Sequence, residues 1–232
     1  MLNKVYDSMA QALSDIQDGA TVLVGGFGGA GLPYELVHAL IDQGARELTI
    51  VNNNSGTGTD GLAALVNAGR VRKMICSFPK AANPRQDPNI FQKWYNAGKV
   101  ELELVPQGTI VERLRAAGAG LGGFYCPTGV GTVLAKGKET RVLNGKIYVF
   151  EEPLHGDIAL IKAWSADRWG NLVYRKAARN FNPVMAMAAK TTIAQVNQIV
   201  ALGALDPEHV VTPGIFVHRV VQVPVADQGN TV

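Results

Sequence analysis

The stretch that most limits how this chain can fold is Thr21-Val22-Leu23-Val24-Gly25-Gly26-Phe27-Gly28-Gly29-Ala30-Gly31-Leu32-Pro33. Three apolar residues in a row after a β-branched threonine suit a strand buried on both faces, the habit of parallel sheets. The proline that closes the stretch suits the first position of a helix. Glycines between them allow positive φ and let a ligand approach the backbone, while the helix presents its first-turn N–H groups and positive dipole end. A phosphate or a thioester oxygen would be held at such a place. A glycine-rich turn can also do no more than redirect the chain.

The pattern of that stretch recurs. Short β-branched runs at Thr21 to Val24, Leu48 to Val51, Val71 to Ser77, Val100 to Val105, Lys146 to Phe150 and Ile158 to Ala163 predict strands. Helical periodicity predicts helices over Pro33 to Gln43, Asp60 to Ala68, Asn89 to Ala97 and Ile110 to Ala117, closed by Gly44, Gly69, Gly98 and Gly118. The start, through Gly19, fits one amphipathic helix. The final third adds a helical stretch from Val184 and extended runs at Thr192 to Val200 and Val210 to Val223. The expectation is an α/β fold: an open, mainly parallel sheet with helices on both faces, formed by residues 1–232 as one domain with no linker or internal repeat. Ligands of such sheets lie beyond the carboxyl ends of the strands, so those loops are the candidate site.

Composition narrows the function. A net charge of +3 without a basic and aromatic cluster gives no reason to expect nucleic acid, and small anions fit better. Neither a signal peptide nor a run of ~20 apolar residues is present, so no membrane partner is expected. Cys76 and Cys126 are the only cysteines, too few for a disulfide framework and in keeping with a reducing cytoplasm. His38, His155, His209 and His218 lack the spacing of a metal motif, so no metal is expected. Glycine supplies 26 of 232 residues, above the typical ~7%, as a chain with many tight turns requires.

Gly26 to Gly31 also satisfies the GxGxxG pattern of dinucleotide sites, but the acidic residue expected about 20 positions on is replaced by Asn52, Asn53 and Asn54. The whole of Asp18 to Pro33 resembles, without a gap, the first signature of the family I CoA-transferases. Pro106-Gln107-Gly108-Thr109, Ala117 to Gly120, Pro127 to Thr132 and Ala178-Arg179-Asn180-Phe181-Asn182-Pro183 resemble the same family. That resemblance implies a CoA-binding loop of Gly25, Gly26, Phe27, Gly28, Gly29, Ala30 and Gly31. It also implies contact of Asn52, Asn53 and Gln107 with the acyl substrate, a task that suits amides because they donate to oxygen without adding charge.

In that family a glutamate attacks the acyl-CoA thioester, forms an acyl anhydride, captures CoA as an enzyme thioester and passes it to the acceptor acid. It stands in a Ser-Glu-Asn-Gly stretch of a second subunit, and this chain has no such stretch. Glu151 and Glu152 are adjacent on an extended run and point to opposite faces, so they do not replace it. The resemblance therefore implies no catalytic residue here. It implies a partner, the second CoA-transferase subunit, which carries the glutamate in a hetero-oligomer of A2B2 form. It also implies coenzyme A as co-substrate, with no permanently bound cofactor.

Cys76 to Pro79 with Asp87 to Phe91, and Arg168 to Leu172 with Tyr174 to Ala178, resemble members acting on 3-oxoadipate more than those acting on acetoacetate. Succinyl-CoA as donor and a 3-oxo acid as acceptor follow from the resemblance. Arg72, Lys73, Lys80 and Arg85 could serve the distal carboxylate, although solvation is the default for each. Trp164, Arg168, Trp169 and Arg175 could border a ligand, pack, or meet another subunit. A nicotinamide-dependent oxidoreductase and a non-catalytic acyl-CoA-binding module remain the alternatives.

Overall fold

The computed structural model describes residues 2–80 and 89–223. Among these the chain forms β1 (Val5–Tyr6), α1 (Met9–Leu13), β2 (Thr21–Val24), α2 (Tyr34–Gln43), β3 (Leu48–Val51), α3 (Leu62–Asn67), β4 (Val71–Cys76), α4 (Ile90–Asn96), β5 (Glu101–Leu104) and α5 (Gln107–Ala119). It continues through β6 (Phe124–Cys126), β7 (Thr140–Leu143), β8 (Lys146–Glu151), β9 (Gly156–Asp167), β10 (Leu172–Val173), α6 (Asn182–Ala188), β11 (Ala189–Val200) and β12 (Arg219–Gln222). The main sheet runs β1-β12-β11-β9-β2-β3-β4-β5, parallel throughout, with β10 antiparallel on β9.

Alternation along the strands builds two apolar layers. Val22, Val24, Leu48, Ile50 and Met74 pack on one face with residues of α1 to α4. Leu23, Val51, Ile75, Ala159 and Ile161 pack on the other with Ile110 and Leu114 of α5 and Val184 and Met185 of α6. Each buried Val, Leu, Ile or Met side chain among these contributes about 1.5–3 kcal/mol. The expected open parallel sheet with helices on both faces is what forms. From β2 the chain steps outward to β3, while β9 flanks β2 on its other side. This reversal opens a crevice at the carboxyl end of β2, where the glycine loop begins.

Several sequence-based boundaries are corrected. The start is a two-residue strand and a five-residue helix instead of one amphipathic helix. Ser8 begins the helix by accepting from the Gln11 amide at 3.2 Å, and Val5 and Tyr6 pair with Val220 and Val221, a partner no local pattern shows. The run at Lys146 to Phe150 joins no parallel sheet. It forms β8 of a separate antiparallel sheet, β6-β8-β7. Asn144 (φ 50) and Gly145 (φ 75) make the two-residue hairpin between β7 and β8, as Asn-Gly favours.

Gly118 does not end α5, since Gly120 (φ 70) does. Gly118 lies inside the helix because a Cβ there would stand 2.6 Å from Cβ of Met187 on α6. Only Arg219 to Gln222 of the extended run at Val210 to Val223 is a strand, preceded by a 3-10 turn at Gly214–Phe216.

Candidate active site

The glycine loop is itself a small hairpin. Phe27 and Ala30 exchange backbone hydrogen bonds at 3.0 and 3.1 Å, which leaves Gly28 and Gly29 at an exposed tip. Among the described residues the Gly28 and Gly29 amides donate to no protein acceptor. Gly28 holds φ +57, and a Cβ placed on it meets nothing within 4 Å, so the space over the tip is open. At the base, Gly25 donates to the Leu160 carbonyl at 2.9 Å and Gly31 packs with the position of its missing Cβ 2.5 Å from the Ala178 carbonyl oxygen. Neither place has room for a side chain.

The first turn of α2 is less available than its dipole suggests. The Tyr34 amide donates to Leu32 at 3.0 Å and the Leu36 amide to the side chain of buried Gln195 at 3.3 Å, while Gln195 also donates to Glu35. In this turn only the Glu35 amide has no protein acceptor among the described residues, beside those of the loop tip.

The three amide side chains expected to meet substrate have different surroundings. Asn52, with 0% exposure, donates to the carbonyls of Val24 and Gly25 at 2.6 and 3.3 Å and accepts from the Asn54 amide at 2.9 Å. It ties the end of β3 to the root of the glycine loop. Asn53 is also buried, but its Oδ1 has no hydrogen-bond partner among the described residues. Gln107 is exposed at the first position of α5. That helix starts without a side-chain cap or an acidic residue in its first turn, and the amides of Gln107, Gly108 and Thr109 have no protein acceptor among the described residues.

A cavity of about 420 Å³ brings Phe27 of the loop, Gln107, Val111 and Arg115 of α5, and Arg179 and Asn180 before α6 to one place. Asn52 and Asn53 lie outside its lining. Gln107, Val111 and Arg115 are spaced by four residues and so share one helical face.

Two asparagines from a distant part of the chain hold this arrangement. Asn180 donates to the Ala30 carbonyl at 2.9 Å. Asn182, fully buried, donates to the carbonyls of Gly31 at 3.2 Å and Ala178 at 2.8 Å and accepts from the Lys162 amide at 3.0 Å. Their motif was visible in the sequence, but their task joins residues about 150 positions apart.

Residues 6–223 match the coenzyme A transferase family. The chain belongs to that family. It is 62% identical to the first subunit of the 3-oxoadipate CoA-transferase of Pseudomonas putida over 96% of this chain and 95% of that protein. Identity to the Acinetobacter baylyi protein of the same name is 59% over 96% of each. Identity to the first subunit of the probable succinyl-CoA:3-ketoacid coenzyme A transferase of Bacillus subtilis is 48%, over 95% of this chain and 90% of that one. Among solved structures, glutaconate coenzyme A-transferase of Acidaminococcus fermentans shares the fold, with a TM-score of 0.83 at 23% identity over 95% of this chain and 76% of that one.

The other candidate groups of this CoA-transferase chain are engaged structurally. Glu151, 4% exposed, pairs with Lys138 at 2.7 Å, and the backbone carbonyl of Glu152 accepts from Arg113 at 2.8 Å. Arg72 and Lys73 pair with Glu101 and Glu103 at 3.6 and 2.6 Å, Lys80 is exposed, and Arg85, Asp87 and Pro88 lie outside the described residues.

Arg175 stacks on Trp164 at 4.8 Å, whereas Trp169 lines a separate cavity with Asp167. His38 bonds Asp60, and His218 accepts from the Thr192 amide at 3.0 Å. Burial, followed by the charges of Lys4 and Arg219, holds the His218 pKa below its ordinary value. Among the described residues no three His, Cys, Asp or Glu side chains are grouped to hold a metal.

Proposed function

We propose that this chain is the first of two unlike subunits of an enzyme that carries CoA from succinyl-CoA to a 3-oxo acid, with 3-oxoadipate preferred and acetoacetate next. The observation that carries the reading is the shared groove: Phe27 of the hairpin loop, whose two tip amides have no protein acceptor among the described residues, lines the same cavity as Gln107. Backbone donors fixed before the substrate arrives stabilise developing oxygen charge without reorganisation. The names of the relatives in Pseudomonas putida and Bacillus subtilis support the substrates.

In this reading the attacking carboxylate belongs to a glutamate of the second subunit. Its oxygen adds to the thioester carbonyl and CoA leaves as thiolate. The thiolate then attacks the glutamyl carbonyl of the resulting anhydride, which releases the donor acid and leaves glutamyl-CoA. The acceptor acid runs the same steps in reverse. This chain supplies the loop amides of Gly28 and Gly29, the acyl-facing amide of Gln107, and, through Asn52, the anchorage of the loop, while buried Asn53 stands outside the groove lining. An A2B2 assembly and a cytoplasmic location belong to the proposal; both cysteines are free thiols.

The test is reconstitution. This chain alone is expected to show no transfer, and with the second subunit to show ping-pong kinetics and an intermediate trapped by hydroxylamine or borohydride. Gly29→Val adds bulk at the tip, where a Cβ meets only the Tyr34 hydroxyl at 3.2 Å. By blocking ligand approach to the tip amides it should lower kcat/KM for succinyl-CoA by up to about 100-fold, the scale of losing one preorganised donor, with the unfolding midpoint retained. Unchanged turnover in that variant would remove the loop from the mechanism.

A further inference from the structure

The groove between α5 and α6 carries two guanidinium groups that neither the loop nor Gln107 requires. Arg115 is held on its Nε side by Glu112, at 3.1 and 3.3 Å, and its terminal nitrogens have no partner among the described residues. Arg179 ends a 3-10 turn that opens on Lys176 at φ 52 and closes at Asn180, which is bonded to the glycine loop. The Arg179 side chain is exposed and makes no hydrogen bond or ion pair among the described residues. No carboxylate lines the groove.

The walls between these charges are apolar: Val111 from α5, and Phe181, Val184 and Met187 from the other side. At 1.5 Å per residue, Arg115 lies about 12 Å along the helix from Gln107, and the longer arginine side chain, leaning toward the N-terminus, reaches back over part of that gap. An oxygen-directed amide at one end, methylene-compatible walls and guanidinium groups farther along match a short aliphatic chain with an oxyanion at its free end. A polyphosphate would call for cations or backbone amides along its whole length.

We propose that Arg179, with Arg115 lining the same groove, receives the free carboxylate of a dicarboxylic acyl group whose reacting end lies at Gln107 and the glycine loop. This makes Arg179 a specificity-determining residue, and it rests on the transferase reading above. Guanidinium and carboxylate meet in a bidentate geometry that lysine reproduces only in charge.

The test uses the complex with the second subunit. Under ping-pong kinetics kcat/KM for the acceptor reports the second half-reaction alone, so 3-oxoadipate and acetoacetate are compared as acceptors. Arg179→Met should lower the 3-oxoadipate to acetoacetate ratio roughly 10- to 100-fold, the worth of a charged hydrogen-bonded contact. Arg179→Lys should recover part of it, and Arg175→Met, which removes the stack on Trp164, should leave the ratio alone.

A ratio within about twofold of wild type overturns the proposal. So does a matched rise in KM for both acceptors accompanied by weaker inhibition by added free CoA, which would place the anion on the co-substrate. Calorimetric binding of 3-oxoadipate and acetoacetate to the same complexes reads Arg179 without turnover. An inactive wild-type complex therefore sinks the transferase reading, while the binding ratio still decides the role of Arg179.

Discussion

Asn182 is the side chain whose loss should most clearly separate fold from site. Truncation to alanine leaves the Lys162 amide without an acceptor and the Gly31 and Ala178 carbonyls without a donor, in a place with no exposure. An orphaned buried polar group costs about 1–3 kcal/mol. With one amide and two carbonyls affected, and carbonyls the more tolerant, the expected loss is roughly 3–5 kcal/mol, or a fall in Tm of about 10 °C for a chain of this size.

Gly25 sharpens the prediction, because a Cβ there would lie 1.8 Å from Oδ1 of Asn182. Gly25→Ala alone should destabilise by about 1–3 kcal/mol through overpacking. In the Asn182→Ala background the methyl enters vacated space, so the double variant should be at least about 1 kcal/mol more stable than the sum of the two losses. Urea unfolding followed by far-UV circular dichroism, at one fixed concentration of protein and partner, gives the cycle. Additivity within about 0.5 kcal/mol would show that the two residues do not share this space and would refute the clamp.

Acid stability should depend on two bridged carboxylates. Burial acts to raise the Glu103 pKa, but hydrogen bonds from Lys73 and Arg113 outweigh it and hold the group below its ordinary value, as the bond from Arg219 does for Asp15. A folded pKa below the unfolded one means stability present above about pH 4 and lost as pH falls through the folded value. The gap in urea midpoint between wild type and Arg219→Met should therefore close as pH drops below about 4; a gap constant with pH would contradict the linkage. Burial pushes the Cys76 thiol up to about 12. In the native protein at pH 8 an alkylating reagent should modify the part-exposed Cys126 well before Cys76, since only the thiolate reacts; comparable rates, read by mass spectrometry of peptides, would contradict the burial of Cys76.

The parallel sheet and the glycine loop were legible because their causes are local. Val22 to Val24 are apolar without alternation, Gly28 needs its positive φ, and Pro33 suits a helix start, so near neighbours in the chain carry the information. The absence of a Ser-Glu-Asn-Gly stretch likewise needed nothing but the residues. The hairpin at Asn144-Gly145 was also local, and its signal lay in the turn residues between the two strands.

Tertiary structure alone decided what the loop rests on and what shares its groove. The strand pairing of Val5 and Tyr6 with Val220 and Val221, the close passage of Gly118 against Met187, and the bonds from Asn180 and Asn182 to the loop all join distant segments. The same holds for the contrast between saturated Asn52 and Asn53, adjacent and chemically identical, whose Oδ1 has no partner among the described residues. Periodicity assigns residues to faces of one strand or helix. Which groups meet across the carboxyl edge depends on how α5 and α6 pack on the sheet, and that packing is set by the shapes of side chains far apart in the chain.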